Sequence, residues 1–447
     1  QIKLMQKQVH LTTVCIFLYL TGCQSPKPEI ISPNPKISLS PQVSQRSIKI
    51  PEKPLTLPTD NSNSITSGEV QTYLKRLTTQ GFSPQNQGVW IQSNDTLFAN
   101  HQGKIPLPAA SITKVATSLV ALETFNPDHQ FITLIATTGK IENGVLNGDL
   151  IIQGGEDPFF VWEEAIAIGN LLNKIGIQRV TGNLIITGKF YMNFESNPQT
   201  AGNLLKQGLN SQIWQIEALT QYQTLPPETP KPQVIIDGFV KVSPSLPENI
   251  KLLIRHYSFP LAELVKKMNQ YSNNLMADIL AEAVGGPQIV AEKAAELTGV
   301  PKEEIQLING SGLGEENRIS PRAATAIFIA IDNYLQQYNM SVADVFAIVG
   351  KDKGILNERK QLPNLTVVKS GTLNYVSALG GALPTQEKGV IWFTILNKGA
   401  SVNQLRNQQE ILLTDMLNKW GAVESSPPEL RTNPERQAKT SRSEIIY

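Results

Sequence analysis

Three short segments, far apart in the chain, constrain this sequence more than anything else in it: Ser111-Ile-Thr-Lys114, Ser272-Asn-Asn274 and Lys369-Ser-Gly-Thr372. A serine hydroxyl is a weak nucleophile near neutrality and needs a base within hydrogen-bond reach. Positions i and i+3 share a helix face, so Ser111 at a helix start can point into a cleft with Lys114 beside it. Lysine acts as a base only when its proton is shed easily, which burial or neighbouring positive charge arranges. The amides of the same helix start favour developing negative charge. Read alone, the segment is equally a helix cap followed by a surface lysine.

Ser272 falls in a break between two apolar-striped helical stretches. A hydroxyl there can pass a proton between base and leaving group, and Asn274 can orient Lys114 and donate to a substrate carbonyl. Ser and Asn are favoured at helix ends in any case. Lys369 ends an alternating strand, and Gly371 lets another backbone approach closely. An extended peptide can lie along such an edge as an added strand. Lys369, with the hydroxyls of Ser370 and Thr372, would then meet its carboxylate. The plain alternative is an edge strand protected by a lysine. All three segments in this order point to a serine enzyme that works through an acyl intermediate.

Little else in the composition competes with that reading. The 447 residues are enough for a large core and more than one domain. The net charge is +1 and no basic block is interleaved with aromatics, so no nucleic-acid partner is expected. Only four histidines occur, with no HExxH and no Cys/His cluster, so neither a metal nor another cofactor is expected. Both cysteines, Cys15 and Cys23, lie near the N-terminus, so the body folds without a disulfide.

Lys3 and Lys7 precede an apolar run over 11–20, too short for a comfortable membrane span. This is the layout of a signal peptide, expected over 1–22. Without it the formal charge becomes −1. Residues 24–66 carry eight prolines among Ser, Asn and Lys and bury too little to fold, so 23–66 is expected to be a linker. The polar, proline-bearing stretch 423–447 is expected to be a flexible tail.

Between these ends, apolar periodicity predicts helices over 69–79, 112–122, 163–175, 275–283 and 402–420, and one capped by Ser258 with Pro260 in its first turn. Strands are expected at 89–91, 96–99, 132–136, 150–152, 180–186, 233–242, 366–369, 375–379 and 390–396. The fold class expected is α+β, an antiparallel sheet flanked by helices. A β-rich domain over 131–254 is inserted between the first and second motifs. The catalytic domain is thereby split into 67–130 and 255–422.

With these motifs in hand, the sequence resembles the DacB-like D-alanyl-D-alanine carboxypeptidases of serine peptidase family S13, low-molecular-mass penicillin-binding proteins. The resemblance spans about residues 68 to 420. It rests on Leu107-Pro-Ala-Ala-Ser-Ile-Thr-Lys114, on Asn147-Gly-Asp-Leu150 with Gly154-Gly-Glu-Asp-Pro158, on Met268-Asn-Gln-Tyr-Ser-Asn-Asn-Leu275, on Asn309-Gly-Ser-Gly-Leu313 and on Lys369-Ser-Gly-Thr-Leu373. It implies a transpeptidase-like, β-lactamase-like catalytic domain, with Ser111 acylated and Lys114 its base. Ser272 and Asn274 would form a second wall, and Lys369, Ser370, Gly371 and Thr372 the substrate-carboxylate side. The amides of Ser111 and Thr372 would make the oxyanion hole.

The implied reaction removes terminal D-Ala from peptidoglycan stem peptides, with endopeptidase action on crosslinks as a second activity and β-lactams as covalent inhibitors. Leu20-Thr-Gly-Cys23 resembles the bacterial lipobox, which implies lipid on Cys23 and an exported, membrane-anchored protein on the periplasmic side. The chain departs from the family pattern at Ser370 (usually Thr), at Asn309 (usually Asp), at Gly314-Glu315 (usually Ser-Arg), and in a shorter interval between Ser111 and Ser272. A serine β-lactamase and a non-catalytic, lipid-anchored peptidoglycan-binding protein stand as alternatives.

Overall fold

The computed structural model describes residue 58, residues 68–437 and residues 439–446. The expected signal peptide, the lipid-bearing Cys23 and nearly all of the linker lie outside the described residues.

A six-stranded antiparallel sheet carries the third motif. Its strands run in the order Ala347–Ile348, Val367–Leu373, Val376–Thr385, Gly389–Lys398, Gln87–Gln92 and Leu97–His101. Every residue of Val376–Thr385 is buried, as expected of a central strand covered on both faces. The helices Gly68–Thr79 and Val402–Trp420 pack on one face, with Tyr73, Leu77, Leu405, Leu412 and Met416 in the shared core. The first and last long helices among the described residues thus close one layer of this unit.

The other face is covered by Thr113–Phe125, Leu261–Tyr271, Asn274–Ala283, Pro287–Thr298 and Pro321–Gln336, which share the largest core. Pro321–Gln336 was not anticipated. Its run Ala323-Ala-Thr-Ala-Ile-Phe-Ile329 is buried throughout, and its exposed polar positions, Asn333 and Gln336, fall only in the last turn. Its start is nevertheless signposted. Ser320 accepts a hydrogen bond from the Ala323 amide at 2.9 Å, and Pro321 occupies the first turn.

The stretch between the first two motifs builds a second six-stranded sheet, in the order Val240–Val242, Leu184–Lys189, Leu150–Gly155, Ile132–Thr137, Lys251–Tyr257 and Arg442–Ile445. A smaller four-stranded sheet lies beside it. Two predicted strands are each divided between these sheets. The first breaks into Arg179–Val180 and Leu184–Lys189, the second into Ile235–Ile236 and Val240–Val242, where the chain turns through Gly182 and Gly238. Helices Pro198–Gly208 and Ile216–Tyr222 join the predicted Trp162–Lys174 around a separate core, so this stretch is mixed rather than mainly β.

Two local expectations are corrected. Ser258 does not cap the helix Leu261–Tyr271. Its Oγ accepts from the Phe131 amide at 2.9 Å and donates to the Phe259 carbonyl at 2.7 Å, tying two chain crossings together instead. The C-terminal stretch is not loose over its described length. Leu430 is buried in the main core, and Arg436 and Lys439 both pair with Asp128. Arg442–Ile445 pairs antiparallel with Lys251–Tyr257. Arg442-Ser-Glu-Ile445 carries no apolar alternation, so nothing in its sequence marks it as a strand.

Candidate active site

Ser111 sits in a single 3-10 turn, Ala110–Ile112, that leads directly into the helix Thr113–Phe125. In that tighter winding, side chains at i and i+3 eclipse, which brings Lys114 directly beside Ser111. The preceding residue, Ala110, has φ 45°, a left-handed conformation that costs a residue with a Cβ about 1–2 kcal/mol. That strain turns the serine out of the helix toward the cleft.

Lys114 is fully buried, which excludes the surface-lysine reading. Its Nζ lies 2.9 Å from Ser111 Oγ, 2.8 Å from Asn274 Oδ1 and 2.7 Å from the Ser311 carbonyl oxygen. Burial presses its pKa from 10.5 down to about 7, against the smaller opposing pull of Asp278. Asp278 also accepts from the Gly310 amide at 3.0 Å and so fixes the loop that presents the Ser311 carbonyl.

Ser272 ends the helix Leu261–Tyr271 in the left-handed conformation, φ 52°, and Asn273 caps the next helix through the Met276 amide. This break aims the Ser272 hydroxyl at Ser111, 2.9 Å from its Oγ. Lys369, fully buried on the strand Val367–Leu373, donates to Ser272 Oγ at 3.0 Å and to the Ser370 carbonyl at 2.7 Å. Burial, and next the charge of Lys114, hold its pKa well below the lysine range. Two buried amines so close cannot both carry a proton cheaply.

Gly371 passes directly over Ser111. A Cβ there would stand 2.6 Å from the Ser111 amide nitrogen and 3.0 Å from Ala110 Cβ. Only glycine lets the strand lie this close, as the sequence implies. Thr372 is exposed beyond it and accepts from Arg406 Nη2 at 2.6 Å.

The structure therefore gathers Ser111, Lys114, Ser272, Asn274, Lys369 and Gly371 at one place, with Ser370 contributing its carbonyl and Thr372 at the open end. The residues that sequence reasoning missed are Ser311, acting through its backbone, Asp278 and Arg406. Asn309-Gly-Ser-Gly-Leu313 signalled the first. Asn309 stands where the family usually has Asp, and it still folds the loop. Its Oδ1 accepts from the Gly312 amide at 2.8 Å, and its Nδ2 donates to the Leu313 carbonyl at 2.7 Å.

The model of the D-Ala-D-Ala carboxypeptidase 3 (S13) family matches residues 70–219 and 233–417, which include all three motifs. The chain belongs to this family. As an S13 member it is a serine peptidase of the DacB carboxypeptidase and endopeptidase kind that acts on peptidoglycan. Among its S13 relatives is the D-alanyl-D-alanine carboxypeptidase DacB of Haemophilus influenzae, 22% identical over 413 residues, 71% of this chain and 85% of that protein. Another is the carboxypeptidase DacB of Mycolicibacterium smegmatis, 23% identical over 66% of this chain and 72% of its own length.

In fold, the chain resembles the predatory endopeptidase Bd3459 of Bdellovibrio bacteriovorus, solved in complex with the immunity protein Bd3460. The TM-score is 0.64 at 19% identity, covering 79% of this chain and 99% of that one. It also resembles penicillin-binding protein 4 of Haemophilus influenzae, with a TM-score of 0.59 at 19% identity, covering 77% and 98%. The fold class is accordingly the α+β, penicillin-binding type.

Proposed function

We propose that Ser111 is the residue acylated in this S13 peptidase, with Lys114 as its base and Ser272 as the proton carrier to the leaving group. The observation that carries the proposal is an unbroken series of contacts, Lys369 Nζ to Ser272 Oγ to Ser111 Oγ to Lys114 Nζ, each of 3.0 Å or less. Ser111 Oγ attacks the carbonyl carbon of the penultimate D-Ala, and its proton passes to Lys114 Nζ. The resulting oxyanion is met by the amides of Ser111 and Thr372, which the Gly371 crossing brings together. The C–N bond then breaks. The departing amine takes a proton from Ser272, which is resupplied from the lysine pair. Water, deprotonated by Lys114, cleaves the ester and frees Ser111. Asn274 holds Lys114 in line, and Ser370 and Thr372 form the end that receives the substrate's carboxylate.

Treatment with fluorescent penicillin tests this reading. Native protein should gain one covalent adduct that persists, and Ser111→Ala should remain folded and gain none in an intact-mass measurement. An adduct of equal yield on Ser111→Ala would overturn the assignment. Rapid loss of the native adduct would make the enzyme a β-lactamase, and no adduct at all would make it a binding protein.

Family membership implies an exported, periplasmic carboxypeptidase domain. The finer reading is a lipoprotein, tethered through Cys23 by the proline-rich stretch that follows. The charge-then-apolar order before Cys23 supports it. No helix among the described residues is long and apolar enough to cross a membrane.

A further inference from the structure

The lysine expected to greet the substrate's carboxylate is turned inward. Lys369 is fully buried and spends its hydrogens on Ser272 Oγ and the Ser370 carbonyl. Burial and Lys114 both oppose its charge. At the open end of the same strand stands Thr372, whose Oγ1 accepts from Arg406 Nη2 at 2.6 Å. A hydroxyl whose oxygen is already accepting keeps its own hydrogen free to donate outward.

Arg406 reaches Thr372 from the second turn of the helix Val402–Trp420. Its other partner, Glu358 at 3.2 Å, has a side chain 72% exposed, so that pair is screened by water and weak. The Arg406 Nε–H is buried and has no acceptor among the described residues. The neighbouring guanidinium, Arg359, is enclosed in the core, and its Nη1–H likewise has no acceptor among the described residues. It lies 2.6 Å from Glu410 and 3.0 Å from Gln409, with its side chain 1% exposed. Of the two guanidiniums, Arg406, with its side chain 20% exposed, is the one that reaches the open end of the Thr372 strand.

We infer that Arg406 is a specificity-determining residue. Acting through Thr372 and by its own field, it selects substrates whose leaving residue carries a free carboxylate. The inference rests on the peptidase reading above and adds to it the group that reads substrate charge. Arginine suits the task because its planar fork can donate to Thr372 and present charge outward at the same time.

The test compares kcat/KM for diacetyl-Lys-D-Ala-D-Ala and for its C-terminal amide, in the full chain and three variants. Arg406→Ala should lower the acid-to-amide ratio at least tenfold, mainly through the acid substrate. Arg406→Lys keeps the charge without the fork and should recover most of the ratio. Glu358→Gln releases Arg406 from its weak pair and should move the ratio the other way, upward by about two- to threefold. A role confined to holding the strand in place would lower both substrates together and leave the ratio alone. An unchanged ratio in Arg406→Ala, or equal ratios in Ala and Lys variants, would overturn the inference while leaving the peptidase reading intact. Native enzyme that cleaves neither substrate would overturn the peptidase reading, and this inference with it.

Discussion

Lys114 Nζ stands 2.9 Å from Ser111 Oγ, while its two other partners, Asn274 Oδ1 and the Ser311 carbonyl, can only accept hydrogen bonds. A neutral amine has two hydrogens and one lone pair. With both hydrogens given to those acceptors, the lone pair faces Ser111, whose O–H then donates to it. The site is thus wired for proton removal only when Lys114 is neutral. With its pKa at about 7, second-order acylation by penicillin should rise close to tenfold per pH unit below 7 and level off above it. Asn274→Asp places a negative charge 2.8 Å from the amine and should move the inflection upward. A rate that is flat from pH 5 to 8 would refute the role of Lys114.

The same depression has a stability consequence. Lys114 binds its proton near 10.5 when unfolded and near 7 when folded. Between those values the unfolded chain holds more protons, so stability rises with pH across the window and the penalty is complete below 7. Lys114→Met should therefore raise the Tm by a few degrees at pH 6, with the gain shrinking toward pH 10. Thermal melts at both values check this, and an equal gain at each would contradict it.

Gly371→Ala is expected to abolish chemistry while sparing the fold. The added methyl meets the Ser111 amide at 2.6 Å and must push the strand off the nucleophile. A displacement of well under an ångström in an oxyanion site costs about 100-fold or more in rate. Acylation kinetics should show that loss, with circular dichroism unchanged.

Ser272 and Lys369 act in series, so their losses should not add. Ser272→Ala removes the link between Lys369 and Ser111. Each single change should lower kcat by about 100-fold or more, and the double variant should be little worse than Ser272→Ala. Multiplicative losses would mean that Lys369 acts on the substrate independently of Ser272.

Cys23→Ser should abolish incorporation of labelled palmitate when the chain is expressed in a bacterium, and should release the protein from membranes. Retained label would refute the anchor.

The residues of the candidate site were legible because each needs a particular functional group at a particular offset. The eclipsed pair in the SITK segment, the hydroxyl at a helix break and the glycine in a strand are all requirements on residue type. The third acceptor on Lys114 was not legible as such, because any residue can supply the carbonyl that Ser311 presents. Arg406 was missed for another reason. It sits on an amphipathic helix, where a polar position reads as solvent-facing until the fold shows the Thr372 strand beneath it. In the fold, outer elements such as Gly68–Thr79 and Val402–Trp420 carried a clear stripe. Pro321–Gln336 carries an unbroken buried run over 323–329 and shows exposed polar positions only toward its end, at Asn333 and Gln336. The strands expected over 180–186 and 233–242 were read as single because continuous apolar runs do not reveal a chain that leaves one sheet for another partway along.

The pairing of Arg442–Ile445 with Lys251–Tyr257 gives the molecule a built-in order of assembly. During synthesis the strand Lys251–Tyr257 emerges with one flank satisfied by Ile132–Thr137 and the other bare. That flank stays bare while nearly two hundred further residues are made. An open edge is a template for unwanted pairing. When Arg442–Ile445 arrives it becomes the terminal strand itself, so a seven-residue edge is replaced by a four-residue one carrying Arg442 and Glu444, shorter and charged and hence a poorer template.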